Sequence, residues 1–170
     1  MSETVRQLLL ECLQLKQLER AGWVQSGITN PESVASHSWG VAWLAAVLCP
    51  KHLDRGKAVT IAVIHDIAEV RVGDITPNDG ISKKEKAERE LSATRDLLSD
   101  LDEDGTLFEL WLDYENERTP EGRFAKACDK LDMALQSSLY SEKYGVDLSQ
   151  FVESALDTLK DEELRQLAGE

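Results

Sequence analysis

Hydrophobic positions recur along most of this chain with the 3.6-residue period of a helix, not the two-residue period of a strand. Val5, Leu8, Leu9, Cys12 and Leu15 form the first such stripe. The stretch AGWVQSGITNPES, broken by Gly22, Gly27 and Pro31, is expected to be a loop. A second helix is predicted from about Ser33 to Cys49, where Pro50 stops it. A third starts after Asp54, a favourable N-cap, and reaches about Val70. The stretch from Val72 to Ile81 carries Gly73, Pro77 and Gly80 and reads as a loop.

Ser82-Lys83-Lys84-Glu85 has the pattern of a capping box and opens a fourth helix that runs to about Ser99. A shorter helix is expected over about Leu107 to Glu117. Thr119-Pro120 places Pro at the first position of the next helix, which runs to about Lys143 and ends near Gly145. A last helix spans about Leu148 to Leu167. No segment alternates well enough to be a strand. The expected fold is all-α: a single-domain bundle of about six helices over residues 1–170.

Composition agrees with this reading. A chain of 170 residues fits one domain and can bury a core without disulfide staples. Only 4 Pro and 10 Gly leave little material for the turns of a β-sandwich. The net charge of −13 repels polyanions and acidic membrane surfaces, so neither a nucleic-acid polymer nor a membrane is an expected partner. A small phosphate substrate remains compatible, because a bound cation and a few basic side chains reverse the field locally.

Cys12, Cys49 and Cys128 are far apart, with no CxxC pair, so neither a thiolate zinc site nor a disulfide framework is indicated. The N-terminus lacks a basic flank followed by an apolar run, and the longest mainly apolar stretch, Trp39 to Cys49, is about half of what a spanning helix needs. A cytoplasmic setting is expected.

The chemistry gathers on apolar stripes. His65-Asp66 sits in AVTIAVIHDIAEV, with Ile61 before it and Ala68 after it on the inward face. Burying an imidazole beside a carboxylate is costly unless something binds them, and a divalent metal does so. His37 leads a second stripe through Val41, Leu44 and Leu48, and Asp129 lies between Ala125 and Met133 on a third. Helix bundles build metal sites from facing helices in this way. A single core histidine is more often hydrogen-bonded than metal-bound, and periodicity alone does not establish that the three stripes converge. Glu69 is placed by spacing on the same face as His65 and Asp66. Arg20 by itself reads as an exposed helix-end arginine, and Asp74 after Gly73 as a turn residue.

Five strings carry a family resemblance: LERAGW (18–23), PESVASHSW (31–39), HDIAEVRVGDITP (65–77), KKEKAERE (83–90) and FAKACDKLDMALQ (124–136). Together they resemble the HD-domain superfamily of phosphohydrolases, and within it the 5′-deoxynucleotidase group. The resemblance implies His37, His65, Asp66 and Asp129 as ligands of one divalent metal (Mn, Co, Zn, Fe or Mg) and Glu69 as the catalytic acid/base. It implies Arg20 on the substrate phosphate, Asp74 on the sugar and Trp23 on the base. Here Ala21 and Gly22 separate Arg20 from Trp23, whereas the bacterial form has the pair adjacent. Glu32, Lys130 and Asp132 are candidate supports for the ligands. A homodimer is also implied.

The expected reaction is hydrolysis of deoxyribonucleoside 5′-monophosphates to deoxynucleoside and phosphate. Two rivals share the scaffold, a deoxynucleoside triphosphate hydrolase and a cyclic-nucleotide phosphodiesterase. A third is a non-catalytic protein that binds a metal or nucleotide. Few basic residues are expected near the site around these motifs, which leans towards a monophosphate over longer phosphate chains.

Overall fold

A computed structural model describes residues 3–169. Ten α-helices follow one another among the described residues: α1 (Glu3–Cys12), α2 (Ala21–Gln25), α3 (Val34–Leu48), α4 (Arg55–Ile64), α5 (Glu69–Val72), α6 (Lys83–Leu98), α7 (Thr106–Glu115), α8 (Pro120–Tyr144), α9 (Ser149–Thr158) and α10 (Glu162–Ala168). Short 3₁₀ segments lie at Leu13–Lys16 and Pro77–Asp79. Glu19 and Ser33 make an isolated bridge, and no strand occurs among the described residues.

The expected helix starts are set by capping. Ser33, Asp54, Ser82 and Thr119 each accept a hydrogen bond from a backbone N–H in the first turn of α3, α4, α6 and α8. The capping box expected at Ser82 is half formed, because Glu85 turns to Arg89 instead, at 2.6 Å. A complete one forms at Thr76 and Asp79 in the loop after α5.

The number of helices exceeds the expectation of about six, for local reasons. The first stripe tightens to 3₁₀ geometry after Cys12. The stretch read as a loop after Arg20 contains the short helix α2. The third helix does not run through to Val70: it ends at Ile64, and Ile67 N–H and Glu69 N–H bond three residues back before α5 begins. The last helix is interrupted at 159–161, where Asp161 caps α10.

Helix α8 is the axis of the bundle, packed against α3, α4, α7, α9 and α10. Its inward stripe of Phe124, Cys128, Leu131 and Ala134 meets Val41 and Ala45 of α3, Ala58 and Ala62 of α4, and Leu159 and Leu164 of the C-terminal segment. Each large side chain buried there contributes roughly 1.5–3 kcal/mol of transfer free energy. This packing sets α3, the end of α4 and α8 side by side, and those three carry His37, His65-Asp66 and Asp129.

Candidate metal centre and active site

His37 is 1% exposed, His65 3% and Asp129 6%, burials that require partners. His37 Nδ1 donates to Asp132 Oδ2 at 2.7 Å. His65 Nδ1 is 2.8 Å from the carbonyl of Ala62, which can only accept, so this nitrogen carries the hydrogen. The His65 backbone is held in turn, its carbonyl accepting from Trp111 Nε1 at 3.1 Å. Both rings are therefore fixed with Nε2 facing the same space, and neither Nε2 completes a hydrogen bond although both are buried.

The donor atoms of His37, His65 and Asp129 lie within 4.8 Å of one another. Asp66 Oδ2 closes the group, 3.1 Å from His65 Nε2 and 3.7 Å from His37 Nε2. Two orphaned imidazole nitrogens facing two carboxylates fit a divalent cation: the donors are mixed N and O, and each histidine is oriented through its other nitrogen. Burial opposes charge on His37, as does Arg20, but Asp129 and Asp132 outweigh both and draw its pKa up to about 9. The negative field that attracts a proton to this ring attracts a metal ion equally. Glu32, His37 and Asp132 form a second close trio, but His37 Nδ1 already bears the hydrogen given to Asp132.

Beside the ligands lies a cavity of about 410 Å³, bounded by Arg20, Trp23, Asp66, Glu69, Asp74 and residues of α6 and α8. Glu69, on α5 because the chain turns at 65–68, is 4% exposed and its Oε2 has no partner. Burial, then the charges of Asp66 and Asp74, raise its pKa well above the ordinary glutamate range. A carboxyl group of this kind retains a proton for transfer.

The helix-end reading of Arg20 is corrected. Its side chain is only 16% exposed and lies 3.4 Å from Asp74 and 3.7 Å from Asp66. Burial opposes its charge, but Asp74 and Asp66 outweigh this and keep it firmly protonated. Asp74 also accepts from the backbone N–H of Ala21 at 2.8 Å, so it ties the loop after α5 to the start of α2. Turn geometry alone does not account for it.

Trp23 reaches the cavity as part of its wall. It is 2% exposed, its ring packs on Phe151 at 4.3 Å and edge-on to Tyr140, and its N–H goes to Glu32 at 2.9 Å. Glu32 thus fixes Trp23, while Asp132 is the partner of His37. His52 is exposed and lies away from this group.

Basic residues are not scarce around the folded site. Lys83, Lys86, Lys126 and Lys130 join Arg20 on the cavity wall. Lys83 and Lys86 come from the start of α6 and Lys126 and Lys130 from α8, so distance along the chain conceals their proximity. Tyr114 and Trp111 of α7 also escaped the sequence reading, because nothing in the pattern of that helix distinguishes a side chain touching the site from ordinary core.

This all-α bundle, with its His and Asp donors converging beside a pocket, is the architecture of an HD domain. That family matches residues 12–167, and the chain belongs to it. It is 38% identical to the 5′-deoxynucleotidase HDDC2 of Bos taurus over 161 residues, which span 92% of this chain and 78% of that protein. It is 36% identical to the 5′-deoxynucleotidase YGK1 of Saccharomyces cerevisiae over 170 residues, 89% and 74% of the two chains. Among solved structures it superposes on a conserved hypothetical protein of Pyrococcus furiosus with a TM-score of 0.80 at 33% identity, covering 95% and 92%. A predicted metal-dependent phosphohydrolase of Magnetospirillum magnetotacticum gives a TM-score of 0.75 at 26% identity, covering 96% and 86%.

Proposed function

We propose that this protein is a metal-dependent 5′-deoxynucleotidase that hydrolyses deoxyribonucleoside 5′-monophosphates to deoxynucleoside and phosphate. The observation that carries the reading is the pair of buried, oriented and unpartnered imidazole nitrogens facing Asp66 and Asp129, beside a pocket holding Glu69 and Arg20. The names of the relatives supply the substrate class.

In this reading residues 1–170 form one HD domain, and His37, His65, Asp66 and Asp129 hold the metal. A divalent ion bound there acts as a Lewis acid and lowers the pKa of water. Glu69, protonated, gives its proton to the departing sugar oxygen as the bond from phosphorus to that oxygen breaks, and regains one from the water that adds to phosphorus. Arg20 offsets charge building on the phosphate oxygens. Asp74 orients Arg20 and offers its carboxylate to the sugar. The buried walls formed by Trp23 and Ile75 exclude water from the base side. The native metal is one of Mn, Co, Zn, Fe or Mg.

The test is phosphate release from a panel of dNMPs and NMPs by metal-stripped protein, with each ion added back singly. Metal-dependent release that prefers dNMPs is the expected result. Release from NMPs at the same rate overturns the sugar role of Asp74, and no release from any monophosphate overturns the nucleotidase reading. The lysines of the cavity wall favour one second reading, a deoxynucleoside triphosphate hydrolase. Triphosphate appearing as an intact product of dNTP cleavage would support it.

The working unit is a homodimer. Helix α3 has no Asp, Glu, Lys or Arg, and it exposes Trp39 (70%) and Trp43 (55%), stacked at 6.4 Å, together with Val47. Leu135 and Leu139 of the adjacent α8 are exposed as well. Copies carrying −13 each repel, so an uncharged, self-complementary face is where two can meet. Sedimentation should give a dimer for the parent and a monomer for Trp43→Glu; a monomeric parent removes this part of the proposal. The compartment is cytoplasmic, in keeping with three free cysteines. No described helix is long and apolar enough to cross a membrane.

A further inference from the structure

The two oxygens of Asp129 have different surroundings. Oδ1 lies 3.2 Å from His37 Nε2, on the side where the two open imidazole nitrogens face. Oδ2 accepts the hydroxyl hydrogen of Tyr114 at 3.0 Å and lies 3.0 Å from Lys130 Nζ. Oδ2 thus carries both the Tyr114 hydrogen bond and the Lys130 ion pair. A metal can therefore take Oδ1 alone unless a donor is displaced.

Asp66 differs. Its Oδ2 faces both histidines, and its cation, Arg20, stands off at 3.7 Å.

The two donors on Asp129 are themselves fixed. Tyr114 is 6% exposed, and its ring lies against His65 with centroids 4.9 Å apart. Lys126 Nζ sits 4.9 Å from the centroid of the same ring. The Tyr114 hydroxyl is thus aimed by the same packing that places His65. Lys130 follows Asp129 directly on α8 and reaches back to it from the cavity wall.

We propose that Tyr114 and Lys130 are positioning residues that restrict Asp129 to ligation through one oxygen, and so set how tightly the site takes its cation. This rests on the reading of Asp129 as a metal ligand. Outer partners of ligating carboxylates typically change metal affinity by about 10–100-fold when removed. Lys130, next to Asp129 on α8, was an expected support from the sequence, whereas the Tyr114 contact is made between α7 and α8 and leaves no mark in the periodicity.

The experiment is titration of metal-stripped protein with Co²⁺, followed by calorimetry and by the visible absorption of bound cobalt. Parent, Tyr114→Phe, Lys130→Met, Lys130→Arg and Asp129→Asn are compared, with the melting temperature of each metal-free form as a control on folding. Tyr114→Phe and Lys130→Met are expected to bind Co²⁺ about 10-fold more weakly and to shift the cobalt absorption as the second oxygen becomes free. Lys130→Arg, which keeps a donor, should restore most of the affinity. Parental affinity and spectrum in either Tyr114→Phe or Lys130→Met overturns the proposal. Tyr114→Phe removes one hydroxyl and keeps the ring, so it decides the matter even if Lys130→Met melts early. Asp129→Asn separates the two levels: undiminished binding there means that Asp129 is not a ligand. Loss there with parental Tyr114→Phe and Lys130→Met means that only the positioning role fails.

Discussion

Two clusters of buried charge in this molecule use the same residue types to opposite ends. Asp113, at the end of α7, accepts from Lys57 at 2.8 Å, Arg118 at 3.0 Å and Thr119 at 3.2 Å, and neither of its oxygens lacks a partner. The group around Asp66 and Asp129 is as well buried, yet it leaves His37 Nε2, His65 Nε2 and Glu69 Oε2 with none. Burying a polar group without a partner costs about 1–3 kcal/mol. A completed network secures a fold, in this case the junction of α4, α7 and α8. An uncompleted one, held rigid by partners on the far side of each ring, is arranged for something that arrives later.

That contrast can be broken most directly at the ligands. Chelation, or His65→Ala, should reduce phosphate release from a dNMP by about 10⁴-fold, since the metal supplies several kcal/mol of transition-state stabilisation. Retention of more than a tenth of the activity in metal-stripped His65→Ala would sink the metal assignment. Glu69→Gln comes next, with kcat expected to fall about 10³-fold while Co²⁺ still binds. Loss of metal along with activity would instead make Glu69 a ligand.

A gentler probe acts on orientation. Gly40 lies one turn beyond His37 on α3, and a Cβ there would strike Asp132 Oδ1. Moving that carboxylate breaks the 2.7 Å bond that aims His37. Gly40→Ala should therefore weaken Co²⁺ binding about 10-fold with little change in metal-free melting. An unchanged affinity would show that His37 holds its direction without Asp132.

The completed cluster should respond in stability and not in catalysis. Asp113→Asn should cost about 1–2 kcal/mol, a modest figure because Lys57 and Arg118 remain partly solvated, and kcat per folded molecule should not change. Burial alone would raise the pKa of Asp113, but Lys57, Arg118 and Thr119 outweigh it and hold it below the ordinary aspartate value. A depressed folded-state pKa contributes stability above the unfolded value of about 3.9 that is lost as pH falls through the folded one. The stability gap between parent and Asp113→Asn, read from denaturant melts, should thus be full near neutrality and close as pH falls below about 4. A gap that persists at acid pH would mean that packing, not charge, accounts for the loss.

The sequence by itself determined the helical class, the caps that start α3, α4, α6 and α8, and the inward stripes bearing His37, His65 and Asp129. Those features depend on neighbours within a few residues, where period and capping chemistry act. The Glu69 placement was legible in outline, although a turn at 65–68, not a continuous helix, brings it to the site. What the tertiary structure decided involves pairs distant along the chain. Arg20 is held between Asp66 and Asp74, Asp132 aims His37, and Tyr114 holds Asp129. Lys83 and Lys86 of α6 and Lys126 and Lys130 of α8, far apart along the chain, also gather on a single wall. Pattern along a chain specifies which side of a helix is buried; only packing of one helix on another specifies what that side meets.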